Sequence, residues 1–99
     1  MQNYGPLIGI SGQEITETIA QQYGLQVGIY ILDVTQGSGA DIAGIKKDDI
    51  LIGLDGKQVK TMLDIDSIKK EYKAGDTVIV SIVRQGAKKE LKLTFTEEK

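Results

Sequence analysis

Cysteine, histidine and tryptophan are absent from the 99 residues, and proline and phenylalanine occur once each. Without cysteine there is no thiolate nucleophile, no disulfide framework and no Cys-based zinc site. Without histidine there is no imidazole base, so neither Ser-His-Asp nor Cys-His chemistry can be assembled within this chain. Arginine is nearly missing too. Eleven of the 12 cations are lysines and the other is Arg84, which leaves few planar forks for phosphate or carboxylate. The net charge of −2 argues against a nucleic-acid partner, whose binding needs concentrated positive charge. No apolar run approaches the ~18 residues of a membrane span. The start, Met1-Gln2-Asn3-Tyr4, lacks the basic lead of a secretory signal.

What is present is an aliphatic core divided by glycines: 40% of residues are hydrophobic and 12 are Gly. The length suits one domain over residues 1–99, with a core over about 6–96 and polar edges. Leu7 to Ile10 reads as a short strand or extended loop. Ile15, Ile19 and Tyr23 recur at helical spacing, which predicts a helix from Glu14 to Tyr23, with Glu14 as a first-turn acid and Gly24 as C-cap. Val27–Val34, Ile50–Leu54, Val78–Val83 and Glu90–Phe95 read as strands. Asp55-Gly56 and Gln85-Gly86 are two-residue hairpin turns. Ala40 to Ala43 suits a single helical turn stopped by Gly44. Met62, Ile65, Ile68 and Tyr72 predict a helix capped near Thr61 and running to about Lys73.

Most readings of catalysis fail on particular residues. Gly39 and Gly44 have phosphate-loop spacing, but Ile45 stands where that loop needs Lys. Asp48-Asp49, Asp64 and Asp66 do not share a face, and Ile50-Leu51 break any EF-hand pattern. They read as solvated turn acids or helix N-terminal acids. The four serines, Ser11, Ser38, Ser67 and Ser81, lie in no nucleophile elbow. No metal, no cofactor and no catalytic residue is expected.

One stretch stands out. Gly37-Ser38, Ala40, Ala43-Gly44-Ile45, Asp49-Ile50 and Asp55-Gly56 fall in a fixed order between Val34 and Val59. This stretch closely resembles the signature of PDZ domains. Two positions depart from it: Gly39 stands for the usual Pro, and Asp48 for the usual Gly. Leu7-Ile8-Gly9-Ile10 is similar to the carboxylate-binding loop of the family. It lies near the N-terminus, as in the bacterial arrangement of HtrA-type (DegP-like) serine proteases.

The resemblance implies a mainly β fold (α+β by content). Its form would be a partly open β-barrel or sandwich of about five to six strands with two helices, in circularly permuted strand order. It implies a binding module without catalysis of its own, whose ligands are peptides or unfolded proteins with apolar C-termini. Leu7, Ile8, Gly9 and Ile10 would receive the carboxylate through converging N–H groups. Ile10, Ser11 and Gly12 would pair with the ligand backbone. Ile8, Ile10, Ile65 and Ile68 would form the apolar pocket, and Ile68→Asp is expected to remove binding while leaving the fold. The parent would be a serine endopeptidase of protein quality control and stress response, working outside the cytoplasm at the cell surface or on a membrane anchor. Its protease domain would be a second partner, and the isolated domain would be monomeric. A site-2-type metalloprotease, a tail-specific protease or a secretion component are alternative parents. A small self-contained hydrolase is the remaining alternative.

Overall fold

The structure is a computed structural model that describes residues 6, 7 and 9–97. Leu7–Ile10 is divided rather than continuous. Pro6–Leu7 (β1) pairs antiparallel with Thr96–Glu97 (β8), and Ile10 opens the next strand. Ile8 lies outside the described residues.

The main sheet is antiparallel. It is built from β2 (Ile10–Ile15), β3 (Gly28–Val34), β4 (Ile50–Leu54), β6 (Thr77–Arg84) and β7 (Ala87–Thr94), in the order β2-β3-β4-β6-β7. The short β5 (Lys57–Gln58) pairs with β4 as a sixth strand. Both predicted hairpin turns form, with positive φ at each pair: 56° and 74° at Asp55-Gly56, 53° and 81° at Gln85-Gly86. This twist matches that of the flanking strands.

Side-chain alternation splits the apolar residues between two faces. One face buries Ile29, Ile31, Leu51, Val80, Ile82 and Leu93 with Ile65 and Ile68 of α3 (Met62–Lys69). The other buries Ile15 and Ile50 under Ala20 of α1 (Glu17–Tyr23). The helix α2 (Gly39–Ala43) is a single short helix, capped by Ser38 and ended at Gly44 with φ 99°. The fold is therefore mainly β with three helices among the described residues: the two expected as full helices and the single turn expected at Ala40 to Ala43.

Two boundaries differ from the sequence reading. α1 begins at Glu17, because Thr16 is its N-cap and accepts from the Ile19 N–H at 3.3 Å. Glu14 and Ile15 belong to β2, where Ile15 has Gly28 as its partner on β3. α3 stops at Lys69 rather than Lys73. Beyond it, Asp76 Oδ2 accepts from the Lys73 N–H at 2.8 Å, and the Gly75 N–H donates to the Phe95 carbonyl at 2.9 Å. These bonds give the chain a turn in place of another helical turn. Tyr72 still packs inward, stacked on Phe95 with ring centroids 5.5 Å apart.

Asp48 is an exposed turn acid as expected, whereas Asp49 is not. Asp49 is buried and ion-paired to Arg84. Asp48, at φ 77°, is exposed and accepts a hydrogen bond from the Tyr30 hydroxyl. That bond raises the Tyr30 pKa, with smaller contributions from desolvation and from the Asp48 charge. A folded pKa above the unfolded one means stability holds below about pH 10 and is lost as pH rises through the folded value. In an ultraviolet phenolate titration, Asp48→Gly, which removes the acceptor and suits the positive φ, should move Tyr30 to lower pH than in the native chain. Superimposable curves for the two proteins would contradict the assignment.

Candidate functional site

A sheet offers backbone hydrogen bonds only along its edges, and this one ends in β2 and β7. The two edges differ in chemistry. β7 carries Lys88, Lys89 and Lys92, which discourage further pairing. β2 reads Ile-Ser-Gly-Gln-Glu-Ile and has no cation. Among the described residues, β2 pairs with β3 alone.

The β2 edge is regular as well as open. Its register with β3 shifts between Ser11 and Gly12, where Leu32 is the extra residue on β3. The bulge therefore lies on β3, and β2 keeps its alternation. Ile10, Gly12 and Glu14 fall on the face that carries α3, with Ser11 and Gln13 on the other.

At the head of β2, Gly9 has φ 86°, a left-handed value that suits glycine. A Cβ there would overlap the side chain of Ser38, the buried N-cap of α2. The Gly9 carbonyl accepts from the Thr35 N–H at 2.9 Å. The loop before β2 is thus seated on the α2 end of the signature stretch.

α3 stands beside β2 over the core. Its first turn holds a capping box: Thr61 Oγ1 accepts from the Asp64 N–H at 3.1 Å, and Asp64 Oδ2 accepts from the Thr61 N–H at 3.1 Å. The Asp64 pKa is lowered, first by the Lys60 backbone bond and then by that of Thr61. The Met62 N–H donates to Glu14 Oε2 at 3.0 Å, which ties the helix to β2.

Of the predicted site residues, Ile10 is half-buried and packs on the cluster that holds Ile65 and Ile68. Gly9, Ile10, Ser11 and Gly12 follow one another into the open edge. Ile65 and Ile68 are only 3% and 5% exposed. Ile68→Asp would therefore unfold the core before it reported on binding, contrary to the sequence expectation. Ile8 and the side chain of Leu7 fall outside the described residues. Sequence reading missed Glu14 as a contact to α3. Thr16 followed by Glu17 was the available signal, since it marks the helix start two residues after Glu14.

A concavity of about 460 Å³ lies against β2 and α1, lined by Gln13, Glu14, Ile15, Ile19, Tyr23 and Tyr30 among others. Among the described residues, no group of three or more Asp or Glu side chains could hold a metal. None of the described helices is long and apolar enough to cross a membrane.

Fold and edge together define a small β domain with a helix alongside an open strand. The chain belongs to the PDZ family, whose domain pattern matches residues 6–95. It is 40% identical to the serine protease Do-like HtrA of Bacillus subtilis over 95% of its own length, and it spans 24% of that relative. Other relatives bear the names of periplasmic serine endoproteases. Among solved structures it resembles the HtrA-type protease AlgW with decapeptide, with a TM-score of 0.84 at 17% identity. That likeness covers 97% of this chain and 30% of the other. It also resembles the HtrA3 PDZ domain bound to a phage-derived ligand (FGRWV), with a TM-score of 0.80 at 17% identity. There the coverage is 97% of this chain and 89% of the other.

Proposed function

We propose that this chain captures extended peptides with free, apolar C-termini by adding them as a strand to the open edge of β2. The supporting observation is that edge: regular, free of lysine, headed by Gly9 at φ 86° and flanked by α3. Leu7, Ile8, Gly9 and Ile10 receive the carboxylate. Ile10, Ser11 and Gly12 supply the backbone pairing. Ile8 and Ile10 line the apolar pocket, and the buried Ile65 and Ile68 form its floor. The peptide ligands named in the AlgW and HtrA3 structures support this reading.

The parent is a serine protease of the HtrA type acting outside the cytoplasm, in which this domain presents substrates or relays peptide binding to the protease domain. Its serine-protease relatives, some of them named periplasmic, support this placement.

The magnitudes give modest affinity. Edge hydrogen bonds contribute about 1 kcal/mol each, and bonds to a charged carboxylate about 1.5–3. Apolar burial adds roughly 1.5–3 kcal/mol per side chain, and association costs at least ~4 kcal/mol. The balance corresponds to roughly 1–100 μM.

The test is a calorimetric titration with a peptide ending in valine, as the free acid and as the C-terminal amide. The acid should bind in that range and the amide about ten-fold or more weakly, from the loss of charge-assisted bonds. Equal binding of the two would overturn the carboxylate loop.

A further inference from the structure

The head of α3 is capped mostly by its own neighbourhood. Asp64 Oδ2 accepts from Lys60 N at 2.8 Å and from Thr61 N at 3.1 Å, while Thr61 Oγ1 serves Asp64 N. The Met62 N–H is an exception. Its acceptor is Glu14 Oε2, 48 residues away in sequence and rooted on β2. The side chain of Glu14 therefore runs from one wall of the proposed groove to the other.

Strand geometry says which ligand residue meets it. A peptide running antiparallel to β2, with its last residue opposite Ile10, puts the residue two places earlier opposite Gly12. The residue four places before the end then lies opposite Glu14. Because β2 alternates without interruption, that residue's side chain falls on the α3 face, where the Glu14 carboxylate lies.

The acids of α3 are each matched by a nearby cation. Asp64 is in the first turn of α3, with Lys60 as its nearby cation. Asp66 follows, with its partner Lys69 at 3.8 Å. Among the described residues, Glu14 has no ion-pair partner, and its contact is the uncharged Met62 N–H.

We infer that Glu14 is a specificity-determining residue, selecting a lysine or arginine four places before the ligand's C-terminus and rejecting an acid there. The inference rests on the peptide-capture reading and deepens it. A cation at that position pairs with the carboxylate at the rim of the groove, while an acidic residue meets like charge and must also displace Glu14 from α3.

The experiment uses two pentapeptides with the same last four residues, ending in free valine, that carry Lys or Glu as the first residue. Each is titrated into the native chain, Glu14→Gln and Glu14→Lys. Glu14→Gln keeps an oxygen for the Met62 N–H and removes only the charge. The native chain should prefer the Lys peptide by about three-fold, the size of a solvent-exposed pair. Glu14→Gln should bind the two alike, and Glu14→Lys should prefer the Glu peptide. The common tetrapeptide, which stops short of Glu14, should bind the native chain and Glu14→Gln equally. The same preference in all three proteins, or none in the native chain, overturns the role of Glu14 and leaves the groove standing. Failure of every peptide, including the tetrapeptide, overturns the groove and this inference with it.

Discussion

Asp49→Ala should destabilise the domain by about 3–5 kcal/mol, the penalty for breaking a buried ion pair from one side. The Asp49 side chain is 2% exposed. Its Oδ1 accepts from Arg84 Nε at 2.8 Å, and its Oδ2 from Arg84 Nη2 at 2.7 Å and from the Lys46 N–H at 2.8 Å. Arg84 Nη2 also donates to the Gly44 carbonyl at 2.8 Å. One fork thus joins the end of β6 to the loop between α2 and β4, and the hydrogen bonding to Asp49 raises the Arg84 pKa further. Removing the carboxylate leaves a half-buried guanidinium and a backbone N–H without their acceptor. A domain of this size holds about 5–15 kcal/mol in total, so the loss is a large share. Urea unfolding should show it as a lowered midpoint. Arg84→Lys alone should lower the midpoint too, because an ammonium cannot make the two parallel bonds to Asp49. A change below about 1 kcal/mol in Asp49→Ala, the scale of a surface pair, would contradict this role.

Gly39→Pro should also destabilise, by about 1–3 kcal/mol, although it restores the residue usual in the family. Two effects compete. Gly39 is the first residue of α2 after the Ser38 cap, a position where proline ordinarily suits a helix. By itself, proline there would favour folding by about 0.4–1 kcal/mol through the unfolded chain. Against this, a Cβ on Gly39 would overlap the carbonyl oxygen of Thr94 on β7. That oxygen is backbone at the end of a paired strand, and it cannot rotate aside as a side chain would. The clash outweighs the entropy gain. Gly39→Ala should shift the thermal midpoint in the same direction, since it adds the same atom. A raised midpoint in both variants would show that α2 can move off β7.

These two residues also show how far the sequence was readable. The signature from Gly37 to Gly56 made the fold legible, because each of its glycines and caps has a local task. Ser38 caps α2, Gly44 ends it, and Asp55-Gly56 turns the chain. Local tasks leave local signals. The pairing of Asp49 with Arg84 spans 35 residues and leaves none, so Asp49 looked like one more turn acid. The same holds for Glu14, whose partner Met62 is on another element. Its proximity to Ile15, Ile19 and Tyr23 made it look helical, although Thr16 already marked the boundary. The bend at the head of β2 was legible through Gly9, whose φ is 86°. The burial of Ile65 and Ile68 was not, because a three-and-four repeat does not say whether a residue lines a groove or the core beneath it.

Amide hydrogen exchange reports whether a peptide adds to β2. Exchange would be followed residue by residue in the free chain and with a saturating free-acid peptide. The β2 amides pointing away from β3, between Ile10 and Ile15, should slow by about ten-fold or more as they gain acceptors. The amides on the far edge of β7 should be unchanged. Protection along β7, or around the concavity beside Tyr23 with β2 unaltered, would rule out strand addition at β2.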